Sequence, residues 1–577
     1  MNNKLSFAQK LRQIIANFSK KERFIFVAFF IILVVGIIGG IIQFSNIWST
    51  IIPLHGGSYT EAVIGSPRFI NPVLNYSDTD KDISTLIYSG LVRIDESGNP
   101  VPDLAESWSV SPDGKNYTVI LKPKLVFHDK KPLTADDVVF TVSKIQDASM
   151  KSPLRVAWEG VVASSPDDRT IVFTLQKPYA GFISQLTLGI LPKHIWNTLS
   201  LDDWQTTIYN TEPIGSGPYK LTSVSRSKNG IPEEYHFSAF KNFALGKPYI
   251  DKIIFKIYAN KNDATAAFDS GSVDGIALVT ADAINTISNR STNIITTPLP
   301  RVFGIFFNPI KNKIFAETAV IQAIRIGIDK NNIIETIFNG FAQPLAGPLP
   351  TSLDTTKSSL EERQLLAGKI LDNAGWKMNE ATGIREKTII SGNGKTKVTT
   401  PLSFSLSTVN TKELERSADI IAESLQPLGI DVHIKVFELG ILNEQVIRSR
   451  DFEALLFGQV IKHDTDIFAF WHSSQKSDPG LNITGYANKT VDTLLESSIK
   501  EFSYSKRASM YDSIATQLGK DAPVVFLYTP ELIYLINNSI HHVILPPIGS
   551  QENRLALISK WYAHTDHVWN LFVKNSN

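Results

Sequence analysis

The chain has 577 residues, too many for one hydrophobic core, so we expect two or three domains. Its 57 basic and 56 acidic side chains leave a net charge of +1, which gives no basic face for nucleic acid. The absence of cysteine excludes disulfides, zinc–thiolate sites, iron–sulfur clusters, cysteine nucleophiles and a lipid-modified N-terminal cysteine.

The N-terminus carries a run of nineteen apolar residues, FIFVAFFIILVVGIIGGII, at 24–42. As a helix this run would be about 28 Å long, close to the thickness of a bilayer core. Residues 1–23 contain six Lys or Arg against one Glu, so we predict a cytoplasmic tail there and the rest of the chain outside. A cleaved signal peptide is the alternative, but its apolar region would be shorter. Residues 43–57 would form a tether behind this transmembrane anchor.

Beyond the anchor, strand and helix patterns alternate, which predicts an α/β protein. The phrases SPDGKNYTVILKP and SPDDRTIVFTLQKP resemble each other, and we interpret them as two similar hairpins in one sheet. Alternating apolar residues predict strands at 251–258 and 430–436. Apolar spacing and terminal glycines predict six amphipathic helices, at 317–328, 331–338, 360–374, 411–428, 491–502 and 505–518.

One stretch, FHDKKPLTADDVVF at 127–140, has the composition of an acid/base or metal site. Thr134 stands three residues before Asp137 and ahead of an apolar run, which is the pattern of a helix N-terminus with a capping box. Asp136 and Asp137 also suit the positive end of a helix dipole. His128 has no partner at metal-ligand spacing. We therefore predict that this stretch is scaffold.

The histidine, aspartate and tryptophan side chains of a different segment, KHDTDIFAFWHSS at 462–474, favour it as a binding site. It follows the buried strand pattern FEALLF, and loops at the carboxyl ends of strands bind ligands in α/β proteins. No GxSxG, SxxK or Walker sequence is present, and we predict no catalytic residue, metal site or cofactor.

The order of several motifs along the chain resembles that of a known protein family. The run from YSGLVRIDESGNP to PLTADDVVFTV resembles the peptide- and nickel-binding family of extracellular solute-binding proteins, family 5, which serve bacterial ABC importers. The likeness continues through PIGSGPYKL, GSVDG, AVIQAIRIGIDKNNII, AGKILDNAGW and IIAESLQPLGIDVHI, and covers roughly 58–535. Each motif is weak alone, but the order is specific.

The resemblance implies a two-lobed periplasmic-binding-protein fold of type II with an extra small domain, here behind a transmembrane helix. Lobe one would comprise 58–87, 214–297 and 527–577. The small domain would be 88–213, and lobe two would be 298–526. Family members hold the ligand in the cleft and close their lobes over it.

The resemblance also implies a binding site. Peptide binders of this family capture the ligand's amino group with an aspartate in a phrase like GW-x-x-D-Y-x-D-P. Here Gln459 replaces the tryptophan and Ile467 the proline, and with one residue inserted His463 or Asp464 falls at the amine-binding position. The ligand-binding set predicted from both lobes is Tyr76, Ser77, Asp78, Gln459, His463, Asp464, Asp466 and Trp471.

These observations favour a membrane-anchored protein that captures oligopeptides outside the cell and delivers them to an ABC permease. The same fold binding a nickel chelate, an oligosaccharide or another solute stays open, as does an anchored peptide sensor. A surface hydrolase with a metal held by His463, Asp464, Asp466 and His472 is the enzymatic alternative, and the ligand spacing argues against it.

Overall fold

The computed structural model describes residues 16, 18–277, 279–288, 291–391, 396–547 and 551–569, which fall into two compact units. Of the described residues, the smaller unit holds those up to 57 and those at 562–569. It contains a 29-residue helix, Lys20–Trp48, and strand Ser49–Leu54, which pairs antiparallel with His564–Trp569. The region predicted as a tether is thus partly helix and strand, and the described residues 562–569 lie in this unit.

In the described part of the chain, no helix combines the length and hydrophobicity that crossing a membrane requires. The anchor at 24–42 therefore stays a prediction.

The larger unit, Ser58–Trp561, is built on a sheet of twelve strands. Ten of them follow one hydrogen-bonded path, in the order Asp431–Phe437, Ser403–Val409, Ala454–Val460, Arg301–Phe307, Val524–Asn537, Gly275–Ala277, Ser58–Ile64, Lys252–Tyr258, Pro232–Ala239 and Tyr219–Arg226. The other two, Thr292–Pro298 and Ala342–Pro344, also pair with Val524–Asn537.

Strand Val524–Asn537 joins the two lobes. Its first half pairs with Arg301–Phe307, and its second half pairs with Gly275–Ala277 and Thr292–Pro298. Each half has its own apolar core: Val525 and Leu527 belong to one buried cluster, Ile533 and Leu535 to another. The prediction of an α/β fold with two lobes is confirmed. The exact boundaries of the lobes stay a prediction.

Smaller sheets complete this unit. One has four strands in the order Ala105–Val110, Asn116–Leu121, Thr170–Thr174 and Val162–Asp167. The two similar phrases form hairpins in this sheet, with their second strands adjacent, so that prediction is confirmed. A two-stranded sheet pairs Val92–Ile94 with Pro100–Pro102. A three-stranded sheet contains Lys377–Met378, Arg385–Ser391 and Thr396–Pro401.

Helices pack against these sheets. The described α-helices of this unit are Asp78–Ile87, Ala135–Gln146, Phe182–Gln185, Lys193–Trp196, Asp203–Thr206, Lys261–Asp269, Ala281–Ile284, Thr318–Gly327, Lys330–Phe338, Leu360–Asn373, Lys412–Leu425, Leu439–Ile441, Ile467–Trp471, Lys489–Ser498 and Tyr504–Asp521. All six predicted helices are found. The one predicted at 491–502 ends early, because the Ile499 carbonyl accepts a hydrogen bond from Ala180 N at 2.7 Å.

The stretch 127–140 has the predicted scaffold role. Asp137 accepts hydrogen bonds from Thr134 N at 2.8 Å and from Lys193 N at 2.9 Å, so it caps helix Ala135–Gln146 and holds a second segment. Asp136 pairs with Lys193, and Asp129 lies 2.7 Å from His194 Nε2. Each acid in the stretch is therefore occupied by a structural contact.

Candidate functional site

The first predicted segment, Tyr76 to Asp78, lies at the N-terminus of helix Asp78–Ile87. Ser77 is the N-cap of this helix: its Oγ accepts from Asp80 N at 3.1 Å, and Asp80 accepts from Ser77 N in return. Tyr76 is exposed, and its hydroxyl donates to Lys151 O. Asp78 is also exposed and lies 3.7 Å from Lys81 Nζ. Of these three residues, only Ser77 is held by the hydrogen bonds that cap the N-terminus of the helix.

Asp80 organises this segment, and our sequence analysis did not single it out. Its Oδ1 accepts from Arg68 N at 2.7 Å and Phe69 N at 2.9 Å, and the residue is buried. The Asp80 carboxylate thus connects the backbone of Arg68 and Phe69, which precede the predicted binding segment, to the N-terminus of helix Asp78–Ile87.

The second predicted segment follows strand Ala454–Val460. Gln459 pairs with Val302 of the neighbouring strand and is buried, while Val460 beside it is exposed. Among the described residues no group hydrogen-bonds the Gln459 Oε1 atom. A buried amide oxygen of this kind is an acceptor that a ligand N–H group can satisfy.

The two acids of the loop are partly exposed and accept hydrogen bonds from other groups of the protein. Asp466 Oδ2 accepts from the backbone N–H groups of Lys462 and His463, both at 2.9 Å, and so closes the loop on itself. Asp464 Oδ2 accepts from Arg507 Nε at 2.9 Å. Arg507 comes from the first turn of helix Tyr504–Asp521 and also donates to Glu501 O. No motif or spacing predicted Arg507 as the partner of Asp464, because the two lie 43 residues apart.

Trp471, the last member of the predicted set, lies in the core. It is 1 % exposed and packs against Phe306, Tyr486 and Phe526, with ring centroids 5.8–6.4 Å apart. Its predicted contact with ligand stays a prediction, whereas its packing role is plain from these neighbours.

The residues proposed for the hydrolase alternative each contact other groups of the protein. His472 stacks on Phe468 with centroids 4.3 Å apart, and its Nδ1 lies 2.8 Å from Ser474 Oγ. Within the described ranges, no group of three or more His, Asp or Glu side chains is arranged to hold a metal ion.

Tyr179, which follows the four-stranded sheet in the chain, contacts the predicted 462–474 segment. Its hydroxyl lies 3.0 Å from Thr465 Oγ1, and burial raises the pKa of Tyr179. Tyr117 donates to Tyr179 O at 2.7 Å. A cavity of about 500 Å³ lies beside these contacts and is lined by Asn99, Pro100, Trp108, Val110, Ser111, Pro112, Tyr117, Ala180, Ile183, Phe502, Tyr504 and Arg507.

The two lobes share one strand, and the buried Gln459 Oε1 atom near the end of another strand has no hydrogen-bond partner among the described residues. The model of the bacterial extracellular solute-binding proteins, family 5, matches residues 99–480. The chain is 30% identical over 492 residues to the oligopeptide-binding protein AppA of Bacillus subtilis (strain 168), a match that covers 83% of this chain and 87% of AppA. The chain belongs to this family of solute-binding proteins.

Solved structures show the same architecture. The structure of AppA from Bacillus subtilis in complex with a nonapeptide matches with a TM-score of 0.58 and 27% identity, over 89% of this chain and 99% of that one. The substrate-binding protein CtaP of an ABC transporter from Listeria monocytogenes matches with a TM-score of 0.68 and 24% identity, over 88% and 100% of the two chains. The second likeness supports the fold alone.

Proposed function

We propose that this chain is the extracytoplasmic substrate-binding protein of an ABC importer, which captures oligopeptides and delivers them to the permease. The observation that carries the proposal is the likeness to AppA, which spans most of both chains and includes a structure with a bound nonapeptide. The two-lobed fold fits this role, since a ligand held between lobes is released when they part.

The ligand would contact both predicted segments. Tyr76, Ser77 and Asp78 would lie on the side of lobe one, and Gln459 and His463 on the side of lobe two. Extended peptides bind such sites largely through backbone hydrogen bonds, with side chains in pockets. The exposed Tyr76 side chain and the unsatisfied Gln459 Oε1 support this assignment. The lobe boundaries at 87/88, 213/214, 297/298 and 526/527 belong to the same proposal.

Native mass spectrometry of the full-length chain, purified in detergent from its own host, tests this function. We expect co-purified masses that form a ladder of short peptides, because backbone recognition tolerates many sequences. A single non-peptide mass or a metal complex would favour another solute for the same fold. A protein that carries nothing and also ignores a peptide library would contradict transport of peptides and favour a sensor or another role.

We also propose that residues 24–42 hold the chain at the membrane, with the N-terminus in the cytoplasm and the binding unit outside. The proposal rests on the sequence of nineteen apolar residues and the six basic residues ahead of it. Large side chains of helix Lys20–Trp48, such as Phe24, Phe29 and Ile32, are exposed. We expect the chain to stay in the membrane fraction after an alkaline carbonate wash. Release by the wash would contradict the anchor, and N-terminal sequencing would reveal cleavage.

A further inference from the structure

The small domain, residues 88–213, contacts lobe two beside the predicted ligand loop. The Tyr179 hydroxyl lies 3.0 Å from Thr465 Oγ1, and Ala180 N donates to Ile499 O at 2.7 Å. We propose that these two contacts form a latch, which closes when the lobes close over a peptide and has to break before the peptide leaves. This inference rests on the proposed function and on the lobe boundaries proposed with it, and it gives the small domain a role in retaining the ligand.

The small domain is fastened to lobe one by hydrogen bonds from positions far apart in the chain. Four of them measure 2.7–2.8 Å: Val73 O accepts from Ser152 Oγ, Asn210 O from Ile70 N, Gly215 O from His128 N, and Glu96 Oε1 from Lys560 Nζ. The residues of the first two bonds are buried, so water does not compete for them. We therefore expect the small domain to move together with lobe one.

The interface between the small domain and lobe two is partly exposed. Phe502 adds an apolar contact beside the latch: its ring centroid lies 6.2 Å from that of Tyr117, and a Cβ atom placed on Gly114 would lie 3.3 Å from its Cζ. Phe502 is nevertheless exposed, and Tyr179 is only half-buried. The cavity of about 500 Å³ is lined by both Tyr117 and Phe502, so packing here is incomplete. An interface of this kind separates more readily than a close-packed core.

Opening of the lobes would pull the latch apart. Lobe two is joined to lobe one through strand Val524–Asn537, so it swings by bending at this connection. Because the small domain moves with lobe one, the swing carries Thr465 and Ile499 away from it. The latch therefore stabilises the closed state without contacting the ligand, and it slows the release of every peptide whatever its sequence.

A disulfide across the latch tests the inference, and the chain has no native cysteine that could interfere. A Cβ atom placed on Gly181 would lie 2.9 Å from Thr465 Oγ1. The Cβ atoms of these two positions are therefore at most about 4.4 Å apart, inside the range of roughly 3.5–4.5 Å that disulfides span. The new Cβ would also lie 2.6 Å from Tyr179 Cζ, so the Tyr179 ring turns aside in the double variant Gly181→Cys, Thr465→Cys.

The full-length double variant, reduced and in detergent, is loaded with a random library of nonapeptides that carry fluorescein at the C-terminus. It is then oxidised and diluted into unlabelled peptide, and fluorescence anisotropy follows release. We expect oxidation to slow release at least about tenfold and a reductant to restore it, because the lobes cannot part while the disulfide holds. Equal release from the oxidised and reduced forms would overturn the latch while peptide binding stands. Absence of binding to the unmodified chain would overturn the proposed function and the inference with it.

A milder variant tests the latch without a crosslink. Tyr179→Phe keeps the ring but loses the contact with Thr465, so we expect release to be about two- to tenfold faster, with association unchanged. Tyr235→Phe is the matched control, because Tyr235 is buried in strand Pro232–Ala239 of lobe one and its hydroxyl hydrogen-bonds no group among the described residues. It should release peptide at the rate of the unmodified chain. Equal rates for the two variants would overturn the latch.

Discussion

Replacing Arg554 with methionine should lower the free energy of unfolding by about 3–5 kcal/mol, because the change leaves two buried carboxylates without their cation. Arg554 is 2% exposed, and both Glu61 and Asp82 are fully buried. The guanidinium donates to Glu61 Oε1 at 2.9 Å and to the two oxygens of Asp82 at 2.6 and 2.8 Å. Burial raises the pKa of the Asp82 carboxyl, and Arg554 acts in the opposite direction.

The network connects distant parts of the sequence. Arg554 is separated from Glu61 by 493 residues and from Asp82 by 472. The Tyr534 hydroxyl adds a hydrogen bond to Glu61 Oε2 at 2.8 Å, and Tyr59 donates to the same oxygen. Because Asp82 lies in helix Asp78–Ile87, the network also positions the predicted Tyr76–Asp78 segment. Loss of Arg554 should therefore weaken peptide binding as well as stability.

Chemical denaturation followed by tryptophan fluorescence measures the effect, since Trp561 packs on Tyr59 beside the network. Arg226→Met is the matched control: its ion pair with Glu212 is partly exposed, and we expect a change of no more than about 1 kcal/mol. Adding Glu61→Gln and Asp82→Asn to Arg554→Met removes the unpaired charges and should recover part of the loss. Equal stability of Arg554→Met and the unmodified chain would refute the account.

Local signals in the sequence predicted the elements well. Gly375, one of the terminal glycines that predicted helix ends, follows helix Leu360–Asn373 and adopts a φ of +89°, which favours glycine. Gly429, with a φ of +73°, ends the turn after helix Lys412–Leu425 in the same way. These features depend on neighbours a few residues apart, and such neighbours are visible in the sequence.

Contacts between residues that lie far apart in the chain could not be predicted from the sequence. The pairing of Asp464 with Arg507 joins a loop to a helix 43 residues later, and no periodicity or spacing links them. Strand Ser49–Leu54 pairs with His564–Trp569 from the other end of the described chain. The resemblance located the loop correctly after strand Ala454–Val460, but it carried no information on which of its acids is already neutralised, because that depends on side chains outside the motif.

Acidification should destabilise the larger unit through His128. Its ring is partly buried and packs on Phe240, and desolvation lowers the pKa of the imidazole from 6.5 to about 4. His128 Nε2 lies 3.1 Å from Gly217 O, and Nδ1 accepts from Gly215 N at 3.3 Å, a pattern that requires a neutral ring protonated on Nε2. A second proton on Nδ1 would break the bond to Gly215 N.

The direction of the pH effect follows from proton binding. Between pH 4 and 6.5 the unfolded chain binds a proton at His128 that the folded chain excludes, so the free energy of unfolding falls as the pH is lowered through this window. The loss from this one group is about 1.4 kcal/mol per pH unit, and about 3 kcal/mol once the pH reaches the folded pKa. Above the unfolded pKa the contribution is constant.

Denaturation at several pH values, compared with His128→Gln, isolates this group. Glutamine keeps a donor and an acceptor but does not titrate, so the variant should show a shallower fall in stability between pH 6.5 and 4. His433→Gln is the control, because His433 lies exposed on strand Asp431–Phe437, and it should keep the slope of the unmodified chain. If His128→Gln keeps the full slope, the acid sensitivity arises elsewhere and the His128 imidazole is not its source.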